Sequence, residues 1–145
     1  MAAGILVRKG NPKKIRTLAD LTQEGISLLV IQGPDQGALW EGLAERQSLI
    51  QDIRKRIGAA VSTNTEAVEK WKTMTELDAW ITFESAHYSL KDVADLVRLP
   101  GEERICRGTP VVATHFYKNK EVARRFIDFL KTDDCHTLFR KWGWE

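Results

Sequence analysis

Two short polar stretches, each directly after an apolar run, carry the residues best suited to chemistry in this chain. They are Gln36-Gly37 and Thr63-Asn64-Thr65. Residues of these types open helices, whose first N–H groups lack intrahelical partners and carry a partial positive charge. A glycine lets a ligand approach the backbone, and amide and hydroxyl side chains donate further hydrogen bonds. The pattern predicts a receptor for a small anion, with ordinary helix capping as the simpler alternative at each position.

Patterns that would indicate catalysis are weak. His87, His115 and His136 have no metal-ligand spacing, and the sequence contains no zinc, phosphate-loop or nucleophile-elbow motif. Adjacent Cys135 and His136 would point about 100° apart on a helix, which makes them a poor nucleophile and base. We therefore predict a binding protein that is not an enzyme and uses no cofactor. A small α/β thiol enzyme using Cys106 or Cys135 is the alternative, and the pairing of the two cysteines stays open.

Composition places the chain among globular proteins. Apolar residues make up 43% of its 145 residues and charged residues 29%. The net charge of +2 is spread along the chain, so nucleic-acid binding is not expected. The basic cluster from Arg8 to Arg16 is interpreted as a solvated turn, with guidance of an anion as the alternative. No apolar run approaches the roughly 20 residues of a membrane span, and residues 1–7 do not resemble a secretory signal.

Apolar runs alternate with amphipathic segments, which predicts an α/β layer structure. Strands are predicted at residues 4–8, 27–31, 59–61, 77–83, 95–99, 103–106 and 111–114. Helices are predicted at 36–47 and 48–56, from 63 onward, at 121–130 and from 132 onward, with a capped turn at 17–21 and a polar loop at 84–87. Both polar stretches thus follow strands, where open α/β sheets bind ligands.

Several stretches, in their order along the chain, resemble one protein family. ILVRKGNPK at 5–13 and TLADL at 17–21 resemble the passage of molybdate- and sulfate-type extracellular solute-binding proteins into their second lobe. TPVV at 109–112 and FIDFL at 126–130 resemble the return into the first lobe. Three further stretches resemble the accessory colonization factor branch of the family: GALWE at 37–41, DAW at 78–80 and FRKWGW at 139–144.

The resemblance implies a type II periplasmic-binding fold: a three-layer αβα lobe plus the C-terminal strand and helices of the other lobe. Residues 9–108 would form the second lobe, and residues 1–8 and 109–145 the hinge strands and the C-terminal part of the first. The family's N-terminal segment would be missing. We expect such a fragment to self-associate, because the apolar faces of its last helices would lack their usual cover.

The resemblance also implies ligand contacts in the second lobe, made largely by neutral donors. The candidate ligand-binding residues are Gln36, Gly37, Ala38, Trp40, Thr63, Asn64, Thr65, Glu84 and Ser85. The alternative for Trp40 is that its ring is packed in the core. Glu84 would repel an oxyanion unless it is protonated or turned away, which leaves a neutral-group or organic-acid ligand open.

The implied function is that of a periplasmic solute-binding component of an ABC-type uptake system. It would capture a sulfate- or molybdate-like oxyanion, or a small organic acid, by hinge closure and then dock to a membrane permease. An effector-sensing domain of a transcription regulator with the same fold is the alternative, and it would require a DNA-binding helix-turn-helix upstream.

Overall fold

Five strands form one mixed sheet in the computed structural model, which describes residues 1–33, 36, 38–101, 103–116 and 118–144. The strands are β1 Ala3–Arg8, β2 Leu28–Ile31, β3 Ile57–Val61, β4 Ala79–Phe83 and β5 Ala94–Arg98. Their order across the sheet is β3-β2-β4-β1-β5. Because β2 is parallel to β3 and β4 while β1 is antiparallel to β4, three strands end at the edge where β1 begins.

Helices lie on both faces of the sheet, which confirms the predicted αβα layers. They are α1 Leu39–Arg46, α2 Ile50–Arg54, α3 Asn64–Thr73, α4 Lys120–Leu130 and α5 Asp133–Lys141. Two 3₁₀ helices span Ala19–Thr22 and Glu84–Ser89, and the second is called the post-β4 helix below.

Alternating side chains along the strands build two cores. One core joins the sheet to α1 and α2 and contains Ile5 and Leu43. The other joins the sheet to α3, with the rings of Trp71 and Trp80 6.4 Å apart. All of β2 Leu28–Ile31 is buried, as expected for a strand covered on both faces.

Arg8, the first member of the predicted basic cluster, has a structural role. Its Nη1 donates to the Trp71 carbonyl at 2.8 Å, and Nε and Nη2 donate to the Leu77 and Met74 carbonyls. The guanidinium also lies 3.9 Å from the centroid of the Trp71 ring. Partial burial lowers the pKa of Arg8, and the negative charge of Asp78 offsets only part of this effect. Arg8 thus binds carbonyl groups in the last turn of α3 and in the segment that joins α3 to β4.

Two predicted strands are wrong. Residues 103–106 contribute only an isolated bridge between Cys106 and Ala2, and residues 111–114 form no strand. A strand needs a neighbour for its N–H and C=O groups: residues 105–107 pair only briefly with residues 1–3, and no described segment pairs with residues 111–114. The loop predicted at 84–87 is instead the post-β4 helix.

The apolar stripe predicted on the last two helices exists but lies in solvent. α4 has no buried residue, and Phe126 on its apolar face is 55% exposed. In α5 Cys135 is buried, whereas Leu138 is 55% exposed. Single exposed apolar residues are ordinary, but a continuous helical face of them marks an interaction surface.

We expect the isolated 145-residue chain to self-associate through this face. Static light scattering should give a mass above that of the monomer, and Phe126→Asp should lower it because a charge on the stripe disfavours burial. Val93→Asp is the control, since Val93 is also exposed but precedes β5 and belongs to neither α4 nor α5. A monomeric mass for the unchanged chain would contradict the prediction.

Arg8→Lys should lower the free energy of unfolding by about 1–3 kcal/mol, because an ammonium cannot reproduce three directed bonds from one planar group. Urea denaturation monitored by tryptophan fluorescence measures the loss. Arg16→Lys, on an exposed side chain, should change the value by less than about 0.5 kcal/mol. Equal effects of the two substitutions would argue against the role given to Arg8.

Candidate functional site

A cavity of about 230 Å³ opens at the sheet edge where β4 ends and β1 begins, between α3 and the post-β4 helix. The residues that line it are Met1, Asn64, Val68, Trp80, Thr82, Phe83, Ser85, Ala86 and Ser89. A larger depression of about 570 Å³ runs along α4. It belongs to the uncovered helix face, and none of the predicted contacts lines it.

A buried polar cluster lies beside this cavity. Gln36 is 1% exposed and Thr82 0%. The Gln36 amide Nε2 donates to Thr82 Oγ1 at 2.6 Å and to Asn64 Oδ1 at 3.1 Å. These three side chains come from the loop after β2, from β4 and from the start of α3. The two polar stretches therefore meet, and the link between them is the Gln36 amide.

Close backbone approach brings the two loops together. A Cβ atom added at Gly33 would overlap the Ser62 carbonyl oxygen and lie 2.8 Å from the Ser62 carbonyl carbon. Only a residue without a side chain allows this contact between the loop after β2 and the loop after β3. Gly33 therefore sets the distance between the loop that carries Gln36 and the loop that precedes Asn64.

The start of α3 is capped by its own residues. Thr63 Oγ1 accepts a hydrogen bond from the Glu66 backbone N–H at 3.2 Å, and the Glu66 carboxylate accepts one from the Ser62 N–H at 2.9 Å. The capping interpretation is thus confirmed for Thr63. Thr65 is exposed on the first turn. The ligand-binding roles assigned to Thr63 and Thr65 stay predictions.

Glu84 is turned away from the cavity, and two arginines balance its charge. Its carboxylate, 6% exposed, accepts from Arg98 Nε at 3.1 Å and from Arg104 Nη2 at 3.2 Å. Gly4 leaves room for it, because a Cβ there would lie 3.3 Å from Glu84 Cγ. Of the two alternatives stated for Glu84, the structure supports the one in which its charge does not face the ligand. Ser85, next along the chain, does line the cavity.

The remaining candidates lie apart from the cavity. Trp40 is buried in the core under α1, with the Arg54 guanidinium 6.0 Å from its ring centroid. Ala38 is exposed and serves as the left-handed N-cap of α1, with φ 56°. Helix α1 therefore begins at Leu39, later than predicted. Gly37 lies outside the described residues.

Several lining residues escaped the sequence analysis. Val68 follows Asn64 by four residues on α3, so helix periodicity places it beside a predicted residue. Trp80 and Thr82 share one face of β4, and neither is among the predicted ligand-binding residues. Ser89 had no comparable signal, because the post-β4 helix was predicted as a loop. The described residues also contain no cluster of three or more His, Cys, Asp or Glu side chains placed to hold a metal.

The sequence pattern of the bacterial extracellular solute-binding proteins matches residues 2–145. The chain belongs to this family. A PEB3 structure bound to L-phospholactate is similar, with a TM-score of 0.83 and 27% identity, as is Peb3 from Campylobacter jejuni, with a TM-score of 0.80 and 27% identity. Each match covers 99% of this chain and 64% of the other.

A third similar structure shares the fold alone. The substrate-binding domain of a putative molybdenum ABC transporter from Clostridium difficile gives a TM-score of 0.73 at 15% identity, covering 97% of this chain and 61% of that one. A comparison with curated proteins finds no match. The type II periplasmic-binding fold predicted from the resemblance is confirmed, while the accessory colonization factor branch stays a prediction. The chain spans less than two thirds of the length of these structures.

No described helix is long and apolar enough to cross a membrane.

Gly33→Ala should destabilise the fold by about 1–3 kcal/mol, because the new methyl group forces the two loops apart. Gly101→Ala is the matched control, since a Cβ there would meet nothing within 4 Å. Urea denaturation of both variants checks the difference. If the two substitutions cost the same, the close contact does not constrain the loops.

Proposed function

We propose that the full-length protein is the periplasmic solute-binding component of an ABC-type uptake system, which captures a small oxyanion or small organic acid and leaves it chemically unchanged. The observation that carries the proposal is the hydrogen-bonded cluster of Gln36, Thr82 and Asn64 at the rim of a cavity. Membership of the extracellular solute-binding family supports the location and the delivery of the ligand to a membrane permease.

The cavity suits an anion that is held by neutral donors. No Lys, Arg or His is among the described residues that line it, and Asn64 stands at the N-terminal end of α3, which is the positive end of the helix dipole. Neutral dipoles become effective when water is excluded, because electrostatic interactions strengthen as the local dielectric constant falls. The first lobe, closing over the cavity, would exclude that water.

The cavity wall favours an organic acid over a bare oxyanion. Val68, Trp80 and Ala86 present apolar surface opposite the polar groups of Asn64 and Ser85. A relative of 27% identity is bound to L-phospholactate, which carries phosphoryl and carboxylate groups on a three-carbon unit. The volume of the cavity, about 230 Å³, lies below the usual range for sites that bind drug-sized ligands, which also favours a small molecule. Sulfate and molybdate stay as the second class of candidate ligand.

The hinge between the lobes is proposed where two chain segments run side by side. The Ala3 N–H donates to the Ile105 carbonyl at 2.8 Å, and the Arg107 N–H donates to the Met1 carbonyl at 2.8 Å. β1 belongs to the sheet of the second lobe, with partners on both sides. The chain passes between the lobes twice, at two crossing segments. We therefore place the first crossing segment at residues 1–3 instead of at residue 8, and the second opposite it at residues 105–107.

The two rival functions have less support. Cys106 is an exposed free thiol and Cys135 a buried one, and neither lines the cavity, which disfavours a thiol enzyme built on this site. The effector-sensing domain of a transcription regulator is disfavoured by the family match, whose members are extracellular.

A thermal-shift screen of the full-length protein tests the proposal. L-Phospholactate, small carboxylates, sulfate and molybdate are compared, and a ligand at 100 times its Kd should stabilise the fold by about 2.7 kcal/mol. Asn64→Ala should weaken binding about tenfold, the effect of losing one hydrogen bond to a charged group. Gln36→Ala should weaken it as well, because the Gln36 amide holds Asn64 and Thr82 in place.

Gln51→Ala is the matched control, because Gln51 is an exposed glutamine on α2, on the far side of the sheet from α3. It should leave the affinity unchanged. Absence of stabilisation by every anion, or equal affinity in Gln36→Ala and Gln51→Ala, would refute the assignment.

A further inference from the structure

The post-β4 helix forms one wall of the cavity, through Ser85, Ala86 and Ser89. Both of its ends contact parts of the chain outside the sheet. We propose that this helix positions the cavity wall according to the placement of α5, and that Tyr88 is the positioning residue that makes the contact. The inference rests on the proposed function for its binding measurement, but its structural measurement is independent of any ligand.

The first end of the helix is attached to the crossing segments. The Glu84 backbone N–H donates to the Ala2 carbonyl at 2.8 Å. The Glu84 carboxylate binds Arg104, which lies just before the second crossing, and Arg98 at the end of β5. A nearly buried carboxylate with two cationic partners is costly to displace, so this end follows the crossing segments.

The second end of the helix is attached to the end of α5. The Tyr88 hydroxyl donates to the Arg140 carbonyl at 3.5 Å. Gly143 packs directly on the Tyr88 ring: a Cβ there would overlap the ring, with Tyr88 Cδ2 at 2.8 Å, and would lie 3.2 Å from Ser85 Cα. The same glycine thus touches both Tyr88 and the backbone of a residue that lines the cavity.

The end of α5 is well defined, so it can serve as a support. Gly143 has φ 79°, and its N–H donates to the Arg140 carbonyl at 3.1 Å. The Trp144 N–H donates to the Phe139 carbonyl at 3.0 Å, and the two rings lie 5.7 Å apart. This is the pattern of a Schellman cap with its hydrophobic contact. Gly143 therefore has two tasks: it adopts the left-handed cap conformation, and it leaves space for Tyr88.

These contacts give a continuous path from α5 to the cavity. A shift of α5 moves Gly143 against the Tyr88 ring and Ser85, and Ser85, Ala86 and Ser89 turn with the helix. Because α5 is assigned to the first lobe, the relative placement of the lobes would set the shape of a wall that belongs to the second. Coupling between two parts of a protein typically changes an affinity by about fivefold or more.

Gly143→Ala in the full-length protein tests the inference, with Gly10→Ala as control. Gly10 also has φ 79°, but a Cβ there would meet nothing within 4 Å, so the control matches the backbone strain without the contact. Hydrogen exchange of residues 84–90, without ligand, should be at least about fivefold faster in Gly143→Ala and unchanged in Gly10→Ala.

Binding of L-phospholactate, measured by calorimetry, gives the second measurement. Gly143→Ala and Tyr88→Ala should weaken it at least about fivefold, whereas Tyr88→Phe, which keeps the ring, should stay within about twofold. The urea midpoints of Gly143→Ala and Gly10→Ala show whether a loss of affinity reflects a general loss of stability or the change in this contact.

Two results would overturn the inference. One is equal hydrogen exchange at residues 84–90 in the two glycine variants. The other is an affinity that falls in proportion to the urea midpoint across the variants and does not correlate with the hydrogen exchange of residues 84–90. If no anion binds the unchanged protein, the proposed function fails, and the exchange measurement still decides whether α5 controls the post-β4 helix.

Discussion

The burial of the Gln36 amide is the constraint on which the geometry of the site depends. An amide removed from water costs about 1–3 kcal/mol unless its hydrogen bonds are made. Gln36 makes them with Asn64 and Thr82, which are 28 and 46 residues away along the chain. Satisfying one side chain therefore fixes the ends of β2 and β4 and the start of α3 relative to one another. The glycine contact between Gly33 and Ser62 makes this possible, because the two loops could not otherwise approach closely enough.

The distribution of charge follows from the same arrangement. Three arginines beside the sheet bind structural partners: Arg8 binds carbonyls in the last turn of α3 and between α3 and β4, and Arg98 and Arg104 bind Glu84. No Lys, Arg or His is among the described residues that line the cavity, so neutral side chains and backbone groups form its polar surface. Such groups are weak against bulk water and effective in a closed site, because fixed dipoles need no reorganisation around a bound anion. This links the chemistry of the cavity to lobe closure, since a site of neutral donors is selective for anions only when it is dry.

The parts of the fold that could be predicted from the sequence are those set by local patterns. β1, β2, β4 and the helices were located from periodicity, and both polar stretches were correctly placed after strands. The strand predicted at 111–114 was wrong, since a strand also requires a neighbour, which local patterns do not reveal.

Side-chain roles that depend on distant partners were equally inaccessible. The sequence marked Glu84 as a candidate contact, but its two arginine partners are recognisable only in three dimensions. Val68 could have been found from its position one turn after Asn64 on α3. Ser89 could not, because a 3₁₀ helix has no strong sequence signature. The site was thus predictable where it follows the main strands and helices, and unpredictable where it depends on the post-β4 helix.

The last two helices combine a weak attachment with a specific contact. Cys135 is the buried residue of α5 and α4 has none, so little apolar burial holds this pair against the described remainder of the chain. Elements with little buried surface move at low cost in free energy. The Gly143 contact on Tyr88 nevertheless joins the pair to the post-β4 helix at a defined point. A helix pair that moves easily, but touches the cavity wall through one tightly packed glycine, can change the wall without disturbing the two cores behind it.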